Sequence, residues 1–203
     1  MCMKMKMISF VLGIVMLEVL AINWLHLKIK VETIGNELQQ KTEILLENKI
    51  SNDIKCFPVP MKNRESVEYE NDYGLNRENG THEGCDILYS ENMPGIVPIV
   101  SSTDGEISNL GWLYLGGYRV GITSTNGIYY YYAHLDSYAP GLVIGKKVNA
   151  GEFLGFMGNS GEGAEGTTGK FPVHLHFGIY VEAENGNEKS VNPYYYLLKI
   201  NQE

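Results

Sequence analysis

Cysteine and positive charge are what this sequence has least of. Its three cysteines, Cys2, Cys56 and Cys85, are an odd number at no metal-site spacing, so neither a disulfide framework nor a cysteine zinc site follows. A bridge between Cys56 and Cys85 is open but unsupported. Lysine and arginine together number 16 against 24 acidic residues, a formal net charge of -8, and no basic stripe offers itself to a phosphate backbone. Nucleic acid is thereby excluded as a partner. Charged residues make up only 20% of the chain and hydrophobic ones 44%, a balance that excludes disorder and indicates a globular protein. Sustained helical periodicity is missing after Pro60, and the helical zinc motif His-Glu-x-x-His is missing throughout.

With 203 residues, the chain has room for one well-cored domain and an appendage. The appendage begins with a largely apolar run from Met7 to Leu27, about the length that spans a bilayer. Glu18 and Asn23 interrupt it, at a cost of roughly 3 kcal/mol for a central carboxylate, against roughly 0.3 to 0.6 kcal/mol returned by each Ile, Leu, Val or Phe. The reading is a retained single-pass anchor over residues 1–28, with a cleaved signal peptide as the alternative because Lys4 and Lys6 precede an apolar stretch of suitable size. Residues 29–54 follow as a helical stalk, on the spacing of Val31, Ile34, Leu38 and Leu45. Pro58 and Pro60 end it.

From residue 55 to 203 the pattern becomes short strand-like runs between glycine-bearing turns, as the 23 glycines and 14 tyrosines foreshadow. Thr125-Asn126-Gly127 marks a hairpin between Tyr118-Arg-Val-Gly-Ile-Thr and Ile128-Tyr-Tyr-Tyr-Tyr-Ala-His-Leu. The predicted fold class is mainly β, a compact antiparallel sheet or sandwich.

Four of the five histidines lie in that β region: His82, His134, His174 and His176. The stretch Phe171-Pro-Val-His-Leu-His-Phe-Gly-Ile-Tyr180 reads as a strand, and alternation puts His174 and His176 on one face with Val173, Leu175 and Phe177 on the other. In His82-Glu-Gly-Cys-Asp86, an i, i+4 pair faces one way on a strand or a helix, so His82 and Asp86 can reach one ion. Catalytic zinc takes three such nitrogen and oxygen ligands and leaves a position open. His82, Asp86 and one of the His174/His176 pair supply the set. Alternation points Cys85 away from Asp86, as a small buried residue. Tyr129 to Tyr132 set four aromatic hydroxyls in a row, of which alternate members face a cleft near His134 or pack in the interior.

These motifs, with Asp72-Tyr-Gly-Leu-Asn-Arg77, Tyr132-Ala-His134-Leu, Val148-Asn-Ala-Gly-Glu-Phe-Leu-Gly155 and Val191-Asn-Pro193, resemble the lysostaphin-type (LytM-like) zinc endopeptidases of peptidoglycan over roughly residues 57–198. The resemblance implies that fold, Zn2+ on His82, Asp86 and His176, catalytic roles for His134 and His174, and hydrolysis of peptide cross-bridges in the cell wall. It also implies a peptide substrate, a domain on the extracytoplasmic side of the membrane, and a possible membrane-protein partner. Two other readings stand beside it. Relatives in cell division and sporulation use the same domain as a scaffold that has lost catalytic residues, although all five functional positions are kept here. A carrier or adhesin with a β-sandwich would need a modifiable lysine in an attachment motif, which the sequence lacks. Departures from the family are the longer glycine-rich loop at 158–169, Phe171-Pro172-Val173 ahead of His-Leu-His, and Cys85 beside a ligand.

Overall fold

The computed structural model describes residues 2–78, 80–183 and 186–201, with side chains from Met16 onward. The chain divides into two compact units, Met1–Asn48 and Lys49–Glu203. Helix α1 (Cys2–Asp53) makes up the described residues of the first and opens the second. In the first unit Val31, Ile34, Leu38 and Leu45 are exposed.

The expected single-pass anchor is corrected by this helix: among the described residues, no helix is long and apolar enough to cross a membrane. From Met16 onward Glu18, Asn23, His26, Lys28, Lys30 and Glu32 recur every few residues. Each charge costs about 2.5 to 3.5 kcal/mol at a bilayer centre, more than the intervening apolar residues return. The expected single-pass placement in the membrane, with the β domain on its extracytoplasmic side, falls with the anchor. Residues 7–15 of the expected span lie outside those whose side chains are described.

The second unit is built on twelve strands among the described residues: β1 (Val67–Tyr69), β2 (Asn76–Arg77), β3 (Gly80–Thr81), β4 (Cys85–Tyr89), β5 (Pro98–Val100), β6 (Gly105–Leu113), β7 (Gly117–Ser124), β8 (Tyr129–Tyr138), β9 (Lys147–Val148), β10 (Phe153–Met157), β11 (His174–Glu182) and β12 (Glu188–Val191). The main sheet runs β1-β4-β11-β8-β7-β6-β9, with β12 against β11 and β10 against both β5 and β8; β2 and β3 form a separate hairpin. Each pairing described is antiparallel, as the short connections require. Asn126-Gly127 does turn β7 into β8. Gly127 donates its N–H to the Ser124 carbonyl at 3.0 Å and holds φ at +74°, a conformation that glycine adopts without a Cβ clash.

Alternation sorts the two faces of the sheet. Leu175, Phe177 and Ile179 of β11 and Tyr130 and Tyr132 of β8 are fully buried, together with Ile87, Ile99, Ile107, Val120, Ile122 and Leu154. The last turn of α1, with Ile54 just beyond it, joins this core through Ile50, Asp53 and Ile54, where Asp53 accepts hydrogen bonds from the Tyr130 hydroxyl at 3.1 Å and the Asn126 amide at 2.9 Å. Two helical pieces escape the sequence pattern: a 3-10 turn at Met61–Ser66 and a second helix, α2 (Tyr194–Ile200). Each spans two turns or fewer, too short for a 3.6-residue period to declare itself. Cys56 and Cys85 are both free thiols, so no bridge joins them.

Candidate active site

The central strand β11 lies between β4 and β8, and its register sets the site. His176 stands opposite Asp86 of β4 on one side and Ala133 of β8 on the other. Asp86 therefore comes from the neighbouring strand. His82 does not share that strand, as a simple i, i+4 reading would have it; it lies ahead of β4, after the small β2–β3 hairpin, with its N–H bonded to the Leu75 carbonyl at 2.9 Å. The loop folds His82 back over Asp86. Three atoms then converge: His82 Nε2 is 2.9 Å from His176 Nδ1, and each is 3.0 Å from Asp86 Oδ1.

Tetrahedral zinc with ligands at about 2.0 to 2.1 Å needs ligand atoms roughly 3.3 Å apart, so a nearly equilateral triangle of this size fits a zinc ion after small outward shifts. His82, Asp86 and His176 are the metal-competent group among the described residues. Their surroundings support the same use. His82 Nδ1 lies 3.0 Å from the Asp72 carbonyl and 3.2 Å from its carboxylate, a hydrogen bond that fixes the proton on Nδ1 and turns the Nε2 lone pair to the centre. Arg77 bridges Asp72 at 3.1 Å and Asp86 Oδ2 at 2.7 Å, leaving Asp86 Oδ1 for the cluster.

The electrostatics favour positive charge at the centre. Burial opposes a charge on His82, but hydrogen bonds to Asp72 and Asp86 outweigh it and raise its pKa to about 9. Burial likewise works against the Asp86 carboxylate, and hydrogen bonds from His176 and His82 overcome it and hold its pKa well below the usual carboxylate range. A donor set that draws a proton onto His82 at neutral pH is one that a divalent cation can satisfy instead.

His134 and His174 stand beside this triangle without joining it. Their rings are 4.6 Å apart, and His134 is 6.0 Å from His176, centroid to centroid. His174 Nδ1 bonds the Pro172 carbonyl at 2.8 Å and its Nε2 lies 3.8 Å from Asp86 Oδ1. His134 Nδ1 bonds the Ser160 carbonyl at 2.8 Å. In both, the Nδ1 proton is committed to a carbonyl, so Nε2 is the free base. Burial, then repulsion from His174 and His176, lowers the pKa of His134 to about 3, and burial lowers that of His174. His134 also has φ of +63°, rare for a residue with a side chain, at the bulge where the β7–β8 register shifts. Strain of this kind collects at working sites.

Several contributors were not singled out by motif. Asp72 and Arg77 fall in a stretch the family resemblance includes, yet only the fold reveals them as the supports of His82 and Asp86. Ser160 sits in the glycine-rich loop; its hydroxyl donates to Leu135 at 2.6 Å and accepts from the Tyr118 N–H at 3.0 Å, pinning the carbonyl that orients His134. Gly84 has no room for a side chain, since a Cβ would stand 2.6 Å from the His176 ring. The tyrosine row divides as alternation requires: Tyr130 and Tyr132 go to the core, while Tyr131 lies 5.9 Å from the His176 ring and lines a 660 Å³ cleft with His82, His134 and His176. Cys85 is fully buried, with its thiol on the Glu70 carbonyl at 3.4 Å, and burial raises its pKa.

The family model of Peptidase family M23 matches residues 80–193. An L-Ala--D-Glu endopeptidase of Bacillus subtilis (strain 168) is 39% identical over 146 residues, 70% of this chain and 42% of the relative, so the chain spans less than half the length of that protein. Among solved structures, one named a glycyl-glycine endopeptidase lytM, from Ruminococcus gnavus, is 49% identical over 74% of this chain and 62% of its own, with a TM-score of 0.69. Lysostaphin from Staphylococcus simulans is 25% identical over 66% of this chain and 51% of its own, at a TM-score of 0.51. The likeness extends over the β unit that carries the converging histidines, and the chain belongs to Peptidase family M23.

Proposed function

We propose that this protein is a zinc endopeptidase that hydrolyses peptide cross-bridges of bacterial peptidoglycan, with His82, Asp86 and His176 holding the metal and His134 and His174 moving protons. The observation that carries the reading is the 3 Å triangle of His82 Nε2, His176 Nδ1 and Asp86 Oδ1 at the floor of an open cleft, flanked by two histidines that each present a free Nε2. Zinc in such a set supplies Lewis acidity, polarising a peptide carbonyl and making water a nucleophile at neutral pH. The side chains do the rest. His134, neutral because burial and its neighbours disfavour its charge, presents an unprotonated Nε2 to the cleft at pH 7. His174, held on the Pro172 carbonyl, presents the second unprotonated Nε2, which can take a proton from the attacking water and then pass it to the leaving amine. Arg77 and Asp72 keep Asp86 and His82 aimed while this happens. The relatives' names specify an L-Ala–D-Glu bond in one case and a glycyl-glycine bond in the other, so both peptides belong in the assay.

Elemental analysis tests the metal assignment: wild-type protein is expected to carry one zinc, and Asp86→Ala none. Equal zinc in both would overturn the ligand set. His134→Ala and His174→Ala are expected to keep the metal and lose roughly a hundredfold or more in cleavage of purified peptidoglycan or a bridge peptide. Wild-type rates in both variants would remove these histidines from the reaction.

A further inference from the structure

We propose that Arg119 is a carboxylate-recognising residue of the substrate groove, selecting peptides that bear a free carboxylate within a few residues of the bond cut. The proposal deepens the endopeptidase reading above and rests on it for the identity of the groove. Nε and Nη1 of Arg119 are enclosed by protein and have no hydrogen-bond partner among the described residues. A guanidinium stays charged at any physiological pH and presents its donors as a planar fork, so unpaired N–H groups beside a groove call for an acceptor, which the side chain meets by turning an edge of the fork into that groove. A carboxylate complements that charge and takes charge-assisted hydrogen bonds from one edge of the fork, Nε with Nη2 or Nη1 with Nη2.

Its position connects it to the chemistry. Arg119 lines a 560 Å³ groove that shares Leu115, Gly116, Tyr131 and Tyr180 with the cleft over His176 and His134, so the two are continuous. Arg119 is on β7, two strands from β11 across β8, and strands lie about 4.8 Å apart, which puts its backbone roughly 10 Å from that of His176. An extended peptide covers that distance in about three residues. Tyr129, Tyr131 and Tyr180 lie between as an aromatic lining on which such a peptide can rest. Glu188 faces the same groove, but no ion pair joins it to Arg119 among the described residues, and the guanidinium is left to the ligand. The carboxylate can belong to an acidic residue or to the peptide's C-terminus; both present the same two oxygens.

Three versions of one peptide containing the L-Ala–D-Glu bond separate these sources: both carboxylates free, the glutamate carboxylate amidated, and the C-terminus amidated. Hydrolysis by the full chain is measured for wild type, Arg119→Gln and Arg119→Met, the latter keeping an aliphatic stem, with thermal melting to confirm folding. Dissociation constants are measured beside it in the His134→Ala background, where cleavage is slowed roughly a hundredfold or more. Wild type is expected to favour the free peptide over one amidated form at least tenfold, mainly in KM, and both Arg119 variants to bring that ratio near one. The amide that abolishes the preference identifies the source. A wild-type ratio near one, or a ratio kept in the Arg119 variants, overturns the proposal. If wild type cuts no version yet binds the free peptide with an Arg119-dependent preference, the carboxylate site stands and the endopeptidase reading falls.

Discussion

At the scale of single residues, the site depends on groups that carry no chemistry themselves. Gly84 is one. A Cβ there would meet His176 Cε1 and Nε2 at 2.6 Å and the Phe177 carbonyl at 2.7 Å, so Gly84→Ala must push the imidazole off its aim. The expected result is a folded protein whose metal affinity, measured by chelator competition, falls about 10- to 100-fold, the loss typical of misorienting a ligand. Unchanged affinity would show that the loop yields instead of the ring. Tyr132 is another, in the core beneath the site. It is fully buried and its hydroxyl accepts the Ser102 N–H at 2.8 Å. Tyr132→Phe keeps the packing and strands that N–H, so urea unfolding is expected to show a loss of about 1 to 3 kcal/mol. No loss would mean that water reaches Ser102. That His174 and His176 share a face was legible from alternation alone. The support of His82 by Asp72 and Arg77 was not, because a buried carboxylate network leaves no periodic trace in a sequence.

Among elements, α1 is the least obvious contributor to the β unit. Its last turn and the residue after it place Ile50 at 0% and Ile54 at 5% exposure, and Asp53 ties it to Tyr130 of β8 and to Asn126 of the β7–β8 turn. A fragment starting at residue 55, where the sequence shifts from helical to strand-like pattern, would lack all three. Burying an isoleucine contributes about 1.5 to 3 kcal/mol, so the two together give roughly 3 to 6 kcal/mol before the hydrogen bonds are counted. A fragment from Lys49 is therefore expected to unfold at clearly higher urea than one from Lys55, by fluorescence-monitored titration. Coincident curves would mean that the turn packs without stabilising. The sequence pattern indicated a helical stalk over 29–54, and α1 runs to Asp53; that its end is a piece of the core appears only once the sheet is assembled against it.

For the molecule as a whole, acid should weaken the fold through His134. Its folded-state pKa, lowered to about 3 mainly by burial, lies below the value near 6.5 expected of the unfolded chain. Between those values the unfolded chain takes up a proton that the folded one refuses, so this contribution is complete above about pH 6.5 and is lost as pH falls toward 3. In metal-free protein, the drop in urea midpoint from pH 7 to pH 4.5 is expected to be smaller for His134→Asn than for wild type, asparagine also tolerating the positive φ. Equal drops would mean that His134 is hydrated in the fold. Sequence by itself determined the alternating strands, the turn glycines, the hairpin at Asn126-Gly127 and the stock of imidazoles and carboxylates, because these follow from local geometry and residue chemistry. It did not determine membrane placement, since the polar residues from Glu18 onward leave no described helix apolar enough to cross a bilayer. Only the tertiary structure decided that His82 and His176, separated by 94 positions, come within 2.9 Å, and that Arg119 lines a groove with Nε and Nη1 lacking a hydrogen-bond partner among the described residues. Contacts of that kind are fixed by strand order and register, and register is a property of the assembled sheet.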